Sequence, residues 1–215
     1  MPKLSKEQEA LRQEAMWEIE KSLGEKGYKY IAGVDEAGRG PLAGPVYAAA
    51  VILPEGVKID GINDSKKLSE KKREELFDVI TKVAVSYCVS SVDEKVIDEV
   101  NILNATHMAM CNAVDGLTSP CDYVIVDGNS IKGMEKPHMT VVKGDAKSIS
   151  IAAASILAKV SRDRYIKEMA KEYPEYGFEK HKGYGTKAHT DAILEHGICP
   201  IHRKTFLKKL LGENI

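Results

Sequence analysis

Short apolar runs recur along the chain and are separated by stretches with helical spacing. Residues 46–53 (VYAAAVIL) are continuously apolar, which is typical of a strand that is buried on both faces. Residues 29–35, 84–92 and 123–126 are further runs of strand length, and residues 139–142 form a fifth. The pattern therefore predicts five strands.

Apolar residues spaced three or four positions apart predict the helices. The clearest helices cover residues 69–83, where Ser69 is an N-cap candidate, and residues 148–173, which begin with small residues and become basic. Another helix is predicted near residues 101–117. Residues 4–23 have the pattern of an exposed amphipathic helix.

The order of these elements predicts an α/β fold. Strands come first and then alternate with helices, which favours a mixed central β-sheet flanked by helices, followed by a helical C-terminal region. The early strands are joined by short turns, so we expect them to be antiparallel. We predict a helical N-terminal extension over residues 1–28, one α/β domain over 29–200 and a basic C-terminal helix over 201–215.

Composition indicates the class of protein. Of the 215 residues, 43% are hydrophobic and 29% are charged, which is typical of a soluble globular protein. No stretch approaches the ~18 apolar residues that a membrane span needs, and the N-terminus lacks the apolar core of a signal peptide. The cysteines have no zinc-site or CxxC spacing, so we expect reduced thiols and a cytoplasmic location. They are Cys88, Cys111, Cys121 and Cys199.

The net charge of -1 hides an asymmetry along the chain. Residues 1–127 hold 15 Lys and Arg against 22 Asp and Glu, a net charge of -7. Residues 128–215 hold 16 against 10, a net charge of +6. A basic half could follow a phosphate backbone, but two solvated faces of different charge would give the same count.

Carboxylates stand at the ends of three predicted core strands. Asp35 and Glu36 end the first strand, before a glycine-rich turn. Asp127 ends the fourth strand, and Asp145 follows the fifth. Because neighbouring strand side chains point to opposite faces, Asp35 and Glu36 can share a site only if the backbone turns there.

Such carboxylates would suit a hard divalent cation. Crowded carboxylates repel one another unless a cation neutralises them, and ligation by oxygen alone favours Mg²⁺ over zinc. The alternative is that they are ordinary cap and turn aspartates. The nearby segment GRGPLAG has neither the ending of a P-loop nor GxGxxG spacing, which excludes nucleotide binding of those kinds.

Five ordered segments narrow the choice between these alternatives. They are GVDEAGRGPLAGPV at 33–46, NDSKKLS at 63–69, VDGN at 126–129, KGDAKSISIAAASILAKVSRD at 143–163 and GYGTKAH at 183–189. Together they resemble the bacterial ribonuclease HII family, a branch of the type 2 ribonucleases H, over about residues 30–200. Any one segment is a weak signal, whereas all five in order are specific.

The resemblance implies a ribonuclease-H-like fold and a phosphodiester hydrolase. The implied enzyme hydrolyses the RNA strand of RNA–DNA hybrids and incises at single ribonucleotides embedded in duplex DNA. It would use two Mg²⁺ or Mn²⁺ ions and leave 5′-phosphate and 3′-hydroxyl ends. The resemblance also implies that the protein is a monomer. It further implies a role in ribonucleotide excision repair.

The same resemblance assigns residues to the site. It makes Asp35, Glu36, Asp127 and Asp145 the catalytic, metal-binding acids. Asp163 is a rival to Asp145, although its position four residues after Lys159 also favours a simple ion pair. Substrate binding is implied for Gly38, Arg39, Gly40, Asn63, Ser65, Lys66 and Tyr184.

Recognition of a ribonucleotide requires contact with the 2′-hydroxyl. The resemblance implies that the backbone of Gly38, Arg39 and Gly40 shares this task with the hydroxyl of Tyr184. Weaker candidates for contact with the nucleic acid are Lys67, Lys143, Lys147, Arg162, Arg164, His181 and His189, for which a solvated basic face is the alternative. His107 lies on an apolar helix face and is expected to be structural.

Two other classes of function and one partner remain open. A non-catalytic nucleic-acid-binding module would lack one or more of the acids, and all of them are present. A phosphatase acting on small monoesters would not need the basic half of the chain. The basic tail 201–215 is a candidate contact for a replication clamp.

Overall fold

The computed structural model describes residues 5–212, without the side chain of Lys6. Five strands form its sheet: β1 (Ile31–Ala37), β2 (Val46–Ile52), β3 (Ser86–Val92), β4 (Tyr123–Asp127) and β5 (His138–Val141). The helices are α1 (Lys6–Ala15), α2 (Glu18–Glu25), α3 (Glu70–Val83), α4 (Glu94–Val100), α5 (Ile102–Asp115), α6 (Ile149–Glu172), α7 (Phe178–His181), α8 (Lys187–His196) and α9 (Lys204–Leu211).

The sheet is mixed, as predicted. Its strand order is β3-β2-β1-β4-β5. Strands β1, β2 and β3 pair antiparallel, and β4 and β5 join β1 in a parallel arrangement. The α/β fold with helical C-terminal region is therefore confirmed, with β1 at the centre of the sheet.

The two faces of the sheet are covered by different helices. Helix α6 packs with α3 on one face, and α5 packs on the other. The small residues at the start of α6 allow its backbone to approach β1 closely. A Cβ atom on Gly33 would lie 2.2 Å from the carbonyl carbon of Ser150, so this contact requires glycine.

The N-terminal segment differs from the single exposed helix predicted over residues 4–23. It forms two helices that break at Met16 and Trp17, whose side chains are buried in the core beside α6. Leu11 is exposed. Leu4 lies outside the described residues, as do the other residues of 1–4 in the predicted extension and residues 213–215 of the predicted tail. Burial of the break explains the difference, because tertiary packing overrides helical periodicity.

Residues of this segment also satisfy the free amides at the start of α6. The N–H of Ile149 donates to the carbonyl of Met16 at 3.0 Å. Glu20 is buried, and its Oε1 accepts from the Oγ of Ser148 at 2.6 Å and from the N–H of Ser150 at 3.1 Å. The N-terminal helices thus cap the central helix of the domain.

Helix α4 was not predicted. Asp93 caps it, and Asn101, at a φ of 70°, separates it from α5. No helix within residues 5–212 is long and apolar enough to cross a membrane.

Candidate active site

Asp35 and Glu36 lie within β1, which continues to Ala37. The backbone turns directly after the strand, at Gly38, where φ is 97°, as the glycine-rich sequence from Gly38 to Pro41 predicted. Asp35 is 5% exposed, and its Oδ1 accepts the backbone N–H of Glu36 at 2.7 Å. The two acids stand at the end of the strand that precedes the first glycine-rich loop.

Asp127 reaches the same edge from the neighbouring parallel strand. Val126 of β4 is in register with Val34 of β1, so Asp127 lies beside Asp35. The Oδ1 of Asp127 accepts the N–H of Gly144 at 2.6 Å, which ties it to the turn that carries Asp145. This edge thus gathers acids from three segments.

Burial and neighbouring acids raise the pKa of Asp35 and of Glu36. Burial raises the pKa of Asp35 well above its usual value, and repulsion by Glu36 and Asp127 adds to the rise. Burial also raises the pKa of Glu36, with Arg39 opposing and Asp127 adding to the effect. The edge therefore holds negative charge that the protein neutralises only in part.

Asp145 has a further acidic neighbour. Burial raises its pKa first, followed by repulsion from Asp64 and Asp127, while Lys66 opposes the rise. Asp64 also accepts the N–H of Lys66 at 2.9 Å. Sequence reasoning named the residues on either side of Asp64 but not Asp64 itself. Its place inside the NDSKKLS segment was the available signal.

Lys66 is a second cation near this edge, besides Arg39, which pairs with Glu36. Burial lowers its pKa, but attraction to surrounding acids more than compensates, so that the pKa is raised. Those acids are Asp35, Asp145, Asp64 and Glu36. The acids that raise the pKa of Lys66 come from three segments of the chain, so this predicted substrate-binding lysine lies near all of them.

The donors at this edge fit a hard divalent cation. Within residues 5–212, no three His, Cys, Asp or Glu side chains converge closely enough to form a complete metal cluster. Mg²⁺ needs no such cage, because it is usually held by one or two carboxylates and takes water and phosphate oxygens for the rest. The mutual repulsion among buried Asp35, Asp145 and their neighbours is what a cation would relieve.

The glycine-rich loop 38–44 lies next to the acids and is fixed from below by Arg203. This arginine is fully buried and donates five hydrogen bonds to backbone carbonyls. The acceptors are the carbonyls of Gly38, Arg39, Pro41 and Gly44, at 2.6–3.0 Å. Sequence reasoning placed Arg203 only in a basic tail and missed this contact.

Tyr184 stands against the same loop. A Cβ atom on Gly40 would lie 3.5 Å from the Cε1 of Tyr184, whose side chain is 45% exposed. The N–H of Leu42 donates to the carbonyl of Gly183 at 2.8 Å. The GRG and GYG segments, about 145 residues apart in sequence, thus form one surface beside the acids.

The remaining predicted contacts fall into exposed and interior groups. Lys143 and Lys147 are exposed on either side of Asp145, and the side chain of Asn63 accepts the N–H of Asp64 at 2.9 Å. Ser65 is 3% exposed, and its Oγ lies 2.9 Å from that of Ser155. Ser65 therefore supports the site from inside rather than facing a ligand.

Asp163 occupies an ion pair, which was the alternative to its metal-binding role. It is 3% exposed. Its Oδ1 lies 2.7 Å from the Nζ of Lys159, and its Oδ2 lies 3.7 Å from the Nη2 of Arg73. Asp163 is not among the principal causes of the raised pKa of Asp35, Glu36 or Asp145. We therefore retain Asp145 as the fourth acid.

Of three further candidates for contact with nucleic acid, Arg162 and His189 lie in the interior, whereas Arg164 is exposed. Arg162 is fully buried and donates to the carbonyls of Ala43, Pro45 and Lys182. Arg164 pairs with Glu74. His189 is fully buried, so it is corrected from a substrate contact to an interior residue.

The other two histidines that the sequence analysis named, His107 and His181, make structural contacts. His107 is 5% exposed, and burial lowers its pKa, as expected for a core position. His181 bonds to the backbone of Tyr176 and Gly183.

Comparison with known proteins agrees with this arrangement. The family model for ribonuclease HII matches residues 32–209. The ribonuclease HII of Caldicellulosiruptor saccharolyticus is 57% identical over 198 residues, which cover 92% of this chain and 97% of that protein.

Solved structures show the same fold. The ribonuclease H2 of Pyrococcus horikoshii has a TM-score of 0.71 at 29% identity, covering 84% of this chain and 96% of that one. The structure of the PCNA:RNase HII complex from Archaeoglobus fulgidus matches with a TM-score of 0.65 at 25% identity, covering 86% of this chain and 98% of that one. The chain therefore belongs to the ribonuclease HII family of endoribonucleases.

Proposed function

We propose that this protein is an endonuclease that hydrolyses the RNA strand of RNA–DNA hybrids and incises at single ribonucleotides within duplex DNA. The observation that supports this proposal best is the position of the acidic edge, which is the end of the sheet that carries the candidate acids. It lies beside a surface formed by the GRG loop and Tyr184. The first feature suits phosphodiester hydrolysis, and the second suits recognition of a sugar. The products would have 5′-phosphate and 3′-hydroxyl ends.

The acids are the proposed holders of the metal. Asp35, Glu36, Asp127 and Asp145 would bind two Mg²⁺ or Mn²⁺ ions, which supply activation of water and stabilisation of the leaving oxygen when bound. The bond from Gly144 fixes the orientation of the Asp127 carboxylate. Lys66 lies where it can meet a substrate phosphate once the acids are neutralised.

The loop 38–44 is proposed to contact the ribose. The carbonyls of Gly38 and Arg39 point to Arg203. In a trans peptide the N–H is directed opposite to the carbonyl, so the amides of Arg39 and Gly40 point away from Arg203. These two donors and the hydroxyl of Tyr184 would together read the 2′-hydroxyl.

Further proposals concern partners and location. Lys143 and Lys147 are exposed beside Asp145 and would contact the phosphates of the hybrid.

We also propose a monomer in the cytoplasm whose tail, 201–215, contacts a replication clamp. The PCNA complex of the Archaeoglobus fulgidus relative supports the last of these at 25% identity. Deletion of residues 212–215 should then weaken binding to the clamp without changing cleavage of a short duplex.

The test of the main proposal is cleavage of a labelled DNA duplex that contains one ribonucleotide. The protein would be assayed with Mg²⁺, with Mn²⁺ and with a chelator, beside an all-DNA duplex and an RNA–DNA hybrid. We expect a metal-dependent cut on the 5′ side of the ribonucleotide and no cut in the all-DNA control. Binding without cleavage in either metal would contradict the proposal and favour a non-catalytic module.

A matched variant tests the recognition surface, by which we mean the surface formed by the GRG loop and Tyr184. Tyr184→Phe removes only the hydroxyl, and we expect it to lower kcat on the single-ribonucleotide duplex while binding to all-DNA duplex is retained. Tyr87→Phe is the control, because Tyr87 is similarly exposed on the edge strand β3. Equal activity of both variants would remove the Tyr184 hydroxyl from the proposed contact.

A further inference from the structure

A chain of hydrogen bonds runs through the interior beneath Tyr184. It begins at the backbone N–H of Cys199, which donates to the Nδ1 of His202 at 2.9 Å. The Nε2 of His202 lies 3.0 Å from the Nε2 of His189. The Nδ1 of His189 lies 2.9 Å from the carbonyl oxygen of Tyr184. Both imidazoles are almost completely buried.

The first bond fixes the proton on every ring that follows. Because the Nδ1 of His202 accepts from a backbone N–H, a neutral His202 carries its proton on Nε2 and donates to His189. The Nε2 of His189 is then an acceptor, so His189 carries its proton on Nδ1 and donates to Tyr184. All the bonds therefore run in one direction, toward the carbonyl of Tyr184.

The chain requires both rings to be neutral. A second proton on either histidine would place two N–H groups face to face or point one at the N–H of Cys199. Burial lowers the pKa of His189 and of His202 to about 4, which is consistent with neutral rings at physiological pH.

His181 holds another peptide group of the same loop, the one between Lys182 and Gly183. Its Nδ1 accepts the N–H of Gly183 at 3.3 Å, and its Nε2 lies 2.9 Å from the carbonyl of Tyr176. Its ring stacks on that of His189 with a centroid distance of 4.5 Å. The Gly183 amide and the Tyr184 carbonyl are thus each bound by a histidine, which leaves the Tyr184 backbone little freedom.

The same segment of chain supports the other half of the recognition surface. His202 is followed by Arg203, whose guanidinium holds the carbonyls of the GRG loop. The N–H of Arg203 also donates to the carbonyl of Leu42 at 2.9 Å. Adjacent residues therefore set the positions of both loops.

We infer that His189 and His202 are positioning residues that place the Tyr184 hydroxyl against the ribose through this one-directional chain. The inference rests on the proposed function of Tyr184. It differs from a general packing role because it depends on the single donor that His202 presents to His189.

Two substitutions at residue 202 separate that donor from the other bond. His202→Asn keeps an acceptor near the Nδ1 position for the N–H of Cys199 but removes the donor to His189. His202→Gln places an amide donor near the Nε2 position and removes the acceptor for Cys199. We expect His202→Asn to lower kcat on the single-ribonucleotide duplex between about ten- and a hundredfold, a cost typical of a misplaced contact, and His202→Gln to recover most of it.

The decisive measurement is a double-mutant cycle with Tyr184→Phe. If His202 acts through the hydroxyl, His202→Asn should lower kcat less than about twofold in the Tyr184→Phe protein, because no hydroxyl remains to be misplaced. An equal loss in both backgrounds, or no recovery in His202→Gln, would overturn the inference while leaving Tyr184 in its proposed role. Wild-type cleavage by Tyr184→Phe alone would instead overturn the proposed function of that residue.

A measurement on the unmodified protein covers the case in which the variants do not fold. The ¹⁵N chemical shifts of the imidazoles report which nitrogen is protonated. The expected result is a proton on Nε2 of His202 and on Nδ1 of His189 at neutral pH. The opposite tautomer on either ring would rule out the chain.

Discussion

The acidic edge and the recognition surface lie side by side but are stabilised in opposite ways. At the acidic edge, Asp35 and Asp145 are buried among like charges, and their pKa values are raised. In the recognition surface, buried Arg203 and His189 have backbone carbonyls as partners. A bound cation would therefore stabilise the acidic edge by relieving repulsion among the acids. The recognition surface is instead held in place by hydrogen bonds within the protein.

The largest effect that would break this comparison concerns the acids. Asp127→Asn keeps an oxygen to accept the N–H of Gly144 but removes the negative charge. We expect hybrid cleavage to fall roughly a thousandfold or more, because metal-held charge stabilisation contributes several kcal/mol. Circular dichroism and hybrid binding should stay close to normal. The exposed Asp115→Asn is the control, and near-normal turnover of Asp127→Asn would remove Asp127 from the site.

The next effect concerns the recognition surface. Arg203→Met would leave buried carbonyls without their donor, at a cost of about 3–5 kcal/mol in the free energy of unfolding. Denaturant unfolding would measure it, with Lys204→Met as the exposed neighbouring control. A change within about 0.5 kcal/mol would show that the loop holds its shape without Arg203.

A smaller effect of opposite sign is expected at the edge. Asp35→Asn should raise the Tm of the metal-free protein by about 2–4 °C, the shift given by about 1 kcal/mol in a chain of this size. The substitution removes a buried charge among like charges and keeps the acceptor for the Glu36 N–H. Asp163→Asn is the matched control, because it breaks a buried ion pair and should lower the Tm. Two shifts of the same sign would contradict the comparison.

The smallest effect is the pH dependence of that gain. The pKa of Asp35 is raised in the folded protein, so its protonated form favours folding below the unfolded pKa, and that contribution is lost as pH rises through the folded pKa. The stability difference between wild type and Asp35→Asn should therefore grow as pH rises through the folded pKa and shrink toward pH 4. Unfolding curves without metal would check it, and a difference that is constant with pH would argue against a raised pKa.

Local pattern predicted the strands well and the contacts poorly. All five strands lie within a few residues of the predicted runs. Strands β1, β2 and β4 are largely buried and therefore apolar, whereas β3 and β5 are partly exposed. The break at Met16 and Trp17 was missed because it depends on packing against α6, which no helical period records. Helix α4 was missed because its short apolar pattern is too brief to show a period.

The candidate site divides in the same way. The candidate acids could be named from their motifs, because each lies at or just after the end of a strand. The contacts of Asp64, Arg203 and His202 depend on which distant segments meet in space. For Asp64 the NDSKKLS motif was a signal, whereas the sequence around Arg203 and His202 gives no sign of their contacts. Asp163 shows the converse, because its spacing from Lys159 correctly indicated a local ion pair.

The capping of α6 by the N-terminal helices has a consequence for the order of events during synthesis. Met16 and Glu20 leave the ribosome well before their partners, the amides of Ile149 and Ser150. These contacts cannot form until some 130 further residues, including every strand of the sheet, have been made. The capping contacts of α6 are therefore absent until α6 has been made, whereas the bond from Trp17 to the carbonyl of Val57 joins residues that are made much earlier.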